Sequence, residues 1–122
     1  MSIQRKALGN KGEEEACKYI QNLGYNIMER NYRCKIGELD IIAWDPVGML
    51  VFLEVRSRSG RAFGVPEESV NYRKQNKLRM LAQQFLLTKS EFAKISCRFD
   101  VIGVYFNKEG SVQEIKHIKN AL

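Results

Sequence analysis

The chain has 122 residues, 44% of them hydrophobic, only two prolines and a formal net charge of +6. That length and apolar content suit one domain with a single core, spanning residues 1–122, and argue against disorder. The longest apolar run, Met49 to Leu53, is five residues, which excludes a membrane-spanning helix. Met1-Ser2-Ile3-Gln4-Arg5-Lys6 has no apolar segment of the signal-peptide kind. Cys17, Cys34 and Cys97 are scattered and odd in number, so they read as reduced thiols of a cytoplasmic protein.

The first element is a helix from about Arg5 to Leu23, stopped by Gly24. At roughly 100° per residue, Gly9, Ala16, Ile20 and Leu23 share one side. Among the three consecutive glutamates, Glu13 lies about 20° from Ile20, while Glu14 and Glu15 point away. A carboxylate aimed at a core is costly unless it is paired or used. Glu13 is therefore a cap, a salt-bridge partner or part of a site.

Three strands follow, Tyr25–Tyr32, Glu38–Trp44 and Met49–Ser57, the last two joined by Asp45-Pro46-Val47-Gly48. Pro favours the second position of a type I turn, and Gly supplies the left-handed residue closing a three-residue loop. With Pro46 to Gly48 as the loop, 44 faces 50, 42 faces 52 and 40 faces 54. Asp40 and Glu54 then oppose each other with Cβ atoms roughly 5 Å apart, a destabilising pair unless something positive lies between them. A divalent cation with oxygen ligands answers this, and so does a nearby Lys or Arg. Leu39, Ile41 and Ala43 should line one face of the hairpin with Val51, Leu53 and Val55. Ile42, Leu50 and Phe52 cover the other, as in a sheet between helices.

Residues 57–65 read as a basic loop containing Arg58 and Arg61, and Pro66-Glu67-Glu68 should open a second helix that ends near Leu87. Lys74, Leu78, Leu81 and Phe85 form its inward stripe, with Arg73 and Arg79 outside. Lys74 is thus either a lysine that snorkels past the core edge or one that reaches into a site. Phe99–Tyr105 is a buried strand, and Asn107-Lys108-Glu109-Gly110 turns it into a last strand ending near Ile118. The order is αβββαββ. Residues 55–80 hold seven bases and two acids, a basic surface suited to a polyanion such as nucleic acid.

His117 is the only histidine, so histidine triads and zinc sites drop out. Carboxylates with Lys and Arg remain, the parts for metal-assisted phosphodiester hydrolysis. Gly12-Glu13-Glu14-Glu15-Ala16, Gly37-Glu38-Leu39-Asp40-Ile41-Ile42-Ala43, Phe52-Leu53-Glu54-Val55-Arg56-Ser57-Arg58 and Arg98-Phe99-Asp100-Val101, taken in order, resemble the YraN-like family. These are small bacterial proteins assigned to the restriction-endonuclease-like fold, similar to archaeal Holliday junction resolvases. The resemblance implies an α/β domain with a central mixed sheet of about five strands flanked by helices. It also implies a PD-(D/E)xK site using Mg²⁺ or Mn²⁺, with Asp40 and Glu54 as metal ligands and Glu13 as a helix-borne acid.

Arg56 stands where that motif usually has Lys. It serves the motif's electrostatic role, or Lys74 replaces it, or the site binds without cutting. Opposite Glu38 in the hairpin register, Arg56 could also simply form a cross-strand ion pair. The combined expectation is a nucleic-acid-binding domain, DNA favoured, with a candidate metal-dependent endonuclease site of Glu13, Asp40, Glu54, Arg56 and Lys74. Arg58, Arg61, Arg73 and Lys77 would contact phosphates. The alternative is a catalytically silent DNA- or RNA-binding module. Neither reading calls for a membrane or a small-molecule cofactor, and a homodimer is left open.

Overall fold

The computed structural model describes residues 3–59, 72–89, 91 and 95–121. Helix α1 spans Ile3–Asn22, and strands β1 (Asn26–Arg33), β2 (Glu38–Trp44) and β3 (Leu50–Ser59) follow. Helix α2 (Tyr72–Leu87) leads to β4 (Cys97–Phe106) and β5 (Val112–Ile118). The expected order αβββαββ is observed. The strands form one mixed sheet in the order β1-β2-β3-β4-β5, with β3 and β4 parallel and the other neighbours antiparallel. The expected opening of the second helix at Pro66-Glu67-Glu68 falls outside the described residues.

The two helices cover opposite faces of the sheet. Ala16, Cys17 and Ile20 of α1 pack on Ile41, Ala43, Val51, Leu53, Val55, Ile102 and Val104. Leu78, Leu81, Ala82 and Phe85 of α2 pack on Ile42, Leu50, Phe52 and Val101. A central strand buried on both faces reads as a continuous apolar run, which is what Leu50 to Leu53 is. Phe52 sits at the heart of the second layer, edge-on to Phe85 at 6.0 Å and stacked on Phe99 at 5.3 Å.

The β2–β3 hairpin turns where expected. Asp45 N donates to Met49 O (2.9 Å) and Gly48 N to Asp45 O (3.1 Å), with Gly48 at φ +95. Trp44 faces Leu50 and Ile42 faces Phe52, the predicted register, but the ladder ends at Ile41↔Leu53, so the expected pairing of Asp40 directly opposite Glu54 is not part of it.

Two further expectations are corrected. Leu39 joins the α2 cluster rather than that of Ile41 and Ala43, so the alternation of β2 breaks between positions 39 and 41. It breaks opposite Asn31, which lies in the left-handed region at φ +54 between the pairs Arg30↔Ile41 and Tyr32↔Leu39. Leu23, placed on the inward side of the first helix, is instead 47% exposed. The helix ends at Asn22, and Gly24 N and Tyr25 N bond back to Gln21 O and Ile20 O.

Candidate active site

The site forms where α1, β2, β3 and α2 meet. Its position depends on Gly12, because a β carbon there would overlap Ser57 Oγ and stand 2.9 Å from Ser57 Cβ. Only glycine lets α1 come this close to β3, and the approach places Glu13 beside the strand that carries Glu54.

Past the pair Ile41↔Leu53, the side chain of Asp40 takes over from the backbone: Val55 N donates to Asp40 Oδ2 at 2.8 Å. Burial and then repulsion from Glu54 push the Asp40 carboxyl up to about 7, against the opposing effect of that amide. Glu13 adds to the repulsion, and Arg56 relieves part of it. Glu54 is itself buried, and its Oε1 accepts from Arg56 Nη1 at 2.8 Å and meets Lys74 Nζ at 3.2 Å. Lys74 of α2 thus points at the sheet, as its place on the apolar stripe suggests.

Glu13 is also raised above the usual carboxylate range, first by burial and then by the nearby Glu38 and Glu54. With its amide oriented to donate, the Asn31 nitrogen lies 2.9 Å from Glu13 Oε1 and 3.2 Å from Glu38 Oε1. Sequence reasoning missed Asn31; the available signal was that Asn is the non-glycine residue most tolerant of the left-handed region. Glu14 and Glu15 take up surface pairs with Arg30 (2.6 Å) and Lys18 (3.5 Å).

The cross-strand pair of Arg56 with Glu38 does not form. Arg56 turns to Glu54 on its own strand, and Glu38 is held by Arg33 of β1 at 2.8 Å. The guanidinium of Arg58 donates to its neighbour's carbonyl, Ser57 O, at 2.9 Å. Arg73 and Lys77 are exposed on α2, with Lys77 beside a cavity of about 70 Å³ lined also by Glu38, Lys74, Leu78 and Leu81. Arg61 lies outside the described residues.

Could these residues hold a divalent cation? Asp40 and Glu54 are hard oxygen donors on adjacent strands that repel each other, which is the right donor chemistry for Mg²⁺ or Mn²⁺. Among the described residues no three His, Cys, Asp or Glu side chains converge as a ready-made cage. Mg²⁺ commonly takes one or two carboxylates and completes its shell with water and substrate phosphate.

A second polar cluster lies beyond the hairpin turn. Asp100, 1% exposed, accepts from Arg98 Nε (3.0 Å), Arg98 Nη2 (3.2 Å) and Asn120 N (3.0 Å), and its Oδ2 lies 2.7 Å from His117 Nε2. Arg98 also donates to Asp45 Oδ2 (2.7 Å) and Tyr25 OH (2.8 Å). These bonds tie the hairpin turn, the start of β4 and the end of β5 together.

A model of the uncharacterised protein family UPF0102 matches residues 12–104. The chain belongs to this family. UPF0102 is the YraN-like group that the motifs resemble, and the matched span contains Glu13, Asp40, Glu54, Arg56 and Lys74. A UPF0102 protein of Pelotomaculum thermopropionicum is 45% identical over 121 residues, 99% of each chain. One of Clostridium botulinum strain 657 is 49% identical over 99% of this chain and 98% of its own. Among solved structures, Pyrococcus furiosus SfsA in complex with Ca²⁺ aligns at 15% identity with a TM-score of 0.31. It is covered over 62% of its length and this chain over 96%, and a likeness that weak carries no argument. Among the described residues no helix is long and apolar enough to cross a membrane.

Proposed function

We propose that this UPF0102 protein is a nucleic-acid-binding domain of restriction-endonuclease-like architecture that hydrolyses phosphodiester bonds in DNA with Mg²⁺ or Mn²⁺. The observation that carries the reading is the Asp40–Glu54 pair. Two mutually repelling carboxylates are enclosed together, one of them touched by cationic side chains from two different elements. A merely structural pair would gain by losing one acid, whereas a site that handles a cation and a phosphate needs both signs of charge.

Asp40 and Glu54 would hold the cation, which supplies an activated water and screening of the phosphate charge. Arg56 and Lys74 lie on Glu54 and can reach a phosphate bound beside it. Glu13, whose carboxyl burial raises above the usual carboxylate range, would serve as an auxiliary acid. Arg73 and Lys77 extend the positive surface along α2, where backbone phosphates would be met without sequence preference.

A second reading, a silent nucleic-acid-binding module, is favoured by the ion pairs that already occupy Glu54 Oε1. The two are separated by a cleavage panel of single-stranded, duplex, flapped and four-way DNA and matching RNA, with Mg²⁺ and with Mn²⁺. Metal-dependent cutting that disappears in Asp40→Asn supports the enzyme. Salt-sensitive binding with no cutting on any substrate leaves the silent module.

A further inference from the structure

Glu54 carries two counter-ions as it stands, Arg56 and Lys74, both on its Oε1, and they offset the negative charge a cation would meet. The two counter-ions differ. Arg56 comes from the same strand two residues away, and its side chain is only 16% exposed. Lys74 comes from α2, its side chain is 38% exposed, and its contact is the longer at 3.2 Å against 2.8 Å. An ammonium on a flexible four-carbon stem changes partner easily, whereas Arg56 meets the same oxygen through Nη1 at shorter range and from a more buried position. Lys74 also lines the cavity of about 70 Å³ together with Lys77 and Glu38, so it touches Glu54 while bordering the basic face of α2.

Building on the function proposed above, we infer that Lys74 is an exchangeable counter-ion that couples the two ligands of the site. Without nucleic acid it neutralises Glu54 and keeps divalent cations weakly bound. When a phosphate arrives beside α2, the ammonium transfers to it, and Glu54 becomes available to the cation. Arg56 stays on Glu54 throughout. Cation and polyanion therefore bind with positive cooperativity, each raising the affinity of the other by the same factor. Lys74 acts on the cation through Glu54 and is in that respect a positioning residue.

The test is Mn²⁺ binding, read by the electron paramagnetic resonance of free Mn²⁺, for the native protein, Lys74→Met and Lys74→Gln. Each is measured alone and with a short, uncleavable phosphorothioate duplex, using the Asp40→Asn complex as baseline. Both lysine variants should bind Mn²⁺ about tenfold more tightly than the native protein in the absence of duplex. Saturating duplex should raise the native affinity by a similar factor and change the variants little. Two variants with different polarity keep the test valid should one fold poorly, as judged by circular dichroism. Equal Mn²⁺ affinity in the native protein and both variants, with Asp40→Asn abolishing it, overturns the coupling while leaving the metal site standing. No Asp40-dependent Mn²⁺ binding in any protein, with or without duplex, overturns the metal site and the coupling together.

Discussion

Gly12 on α1 lies against Ser57 on β3 with no room for a β carbon: one added there would overlap Ser57 Oγ and sit 2.9 Å from Ser57 Cβ. Alanine should stabilise a helix interior by about 1 kcal/mol relative to glycine. Here the sign reverses, because rotating the hydroxyl does not move Ser57 Cβ. Gly12→Ala should lose roughly 1–3 kcal/mol, as overpacked cores do. Ser57→Gly removes the obstructing atoms, so the double variant should recover part of that loss. Urea denaturation of both singles and the double gives the coupling, and additive effects would show that the contact does not constrain α1.

Asp40 offers a pH test without any substrate. Its folded-state carboxyl titrates at about 7, against roughly 3.9 in an unfolded chain. A raised acid means the folded state holds the proton more tightly, so stability falls as pH rises from about 4 to 7 and then levels. Asp40→Asn removes that cost and keeps an oxygen to accept from Val55 N. In EDTA the variant should be more stable than the native protein by on the order of 1–3 kcal/mol at pH 8, with the difference vanishing near pH 4. A gain that is equal at both pH values would assign the effect to packing rather than charge.

Much of this site is legible in the residues because the hairpin is built from short-range rules. Pro46 and Gly48 set the turn, the turn sets the register, and the register brings Asp40 toward Glu54. Helical spacing alone aims Glu13 and Lys74 inward. What fails is whatever depends on long side chains or distant partners. Arg56 can reach several carboxylates, and the choice of Glu54 over Glu38 is settled by Arg33 claiming Glu38. Leu39 changes cluster because of the left-handed Asn31 on the neighbouring strand, a local backbone event that alternation in β2 does not reveal. The Arg98 network joins residues 53 and 73 positions apart, beyond any periodicity.

The basic face of α2 predicts a salt response. Arg73→Gln with Lys77→Gln removes two exposed cations without touching the core. If both contact phosphates, the slope of log affinity against log salt should flatten by about 2, with the loss uniform across DNA sequences. Fluorescence anisotropy of a labelled duplex at several salt concentrations measures it. An unchanged slope would move the contact surface elsewhere.

Arg56 decides how the chemistry works, if cutting is found. Glu54→Gln should abolish cleavage by weakening the cation's hold, as Asp40→Asn does. Arg56→Lys keeps a positive charge near Glu54, now as a compact ammonium of the kind the motif usually carries. Activity should be retained or raised, with a stability loss well below the about 3–5 kcal/mol that removing one partner of a buried pair costs. A complete loss of activity would mean that the guanidinium's fork geometry, not only its charge, is needed.

The last prediction concerns the Asp100 cluster, which stands apart from the chemistry but closes the sheet at the hairpin end. Burial alone would raise the Asp100 carboxyl, yet hydrogen bonds from His117, Arg98 and Asn120 N more than offset it and hold it below the usual carboxylate range. A depressed acid stabilises the fold above its unfolded value of roughly 3.9, and that contribution drains away as pH falls through the lower folded value. The native protein should therefore show an acid limb of unfolding below about pH 4. Asp100→Asn leaves Arg98 and His117 facing an amide in a closed interior, where His117 Nδ1 is already buried without a partner among the described residues. Breaking one member of such a buried charge network costs about 3–5 kcal/mol, so the variant should be far less stable at pH 7. Its acid limb should also be shallower, since the group that drives it is gone. Thermal melts from pH 7 down to pH 2 would show both effects. A variant as stable as the native protein at pH 7 would mean that the apolar packing around β4 and β5, not the polar cluster, holds this end of the sheet together.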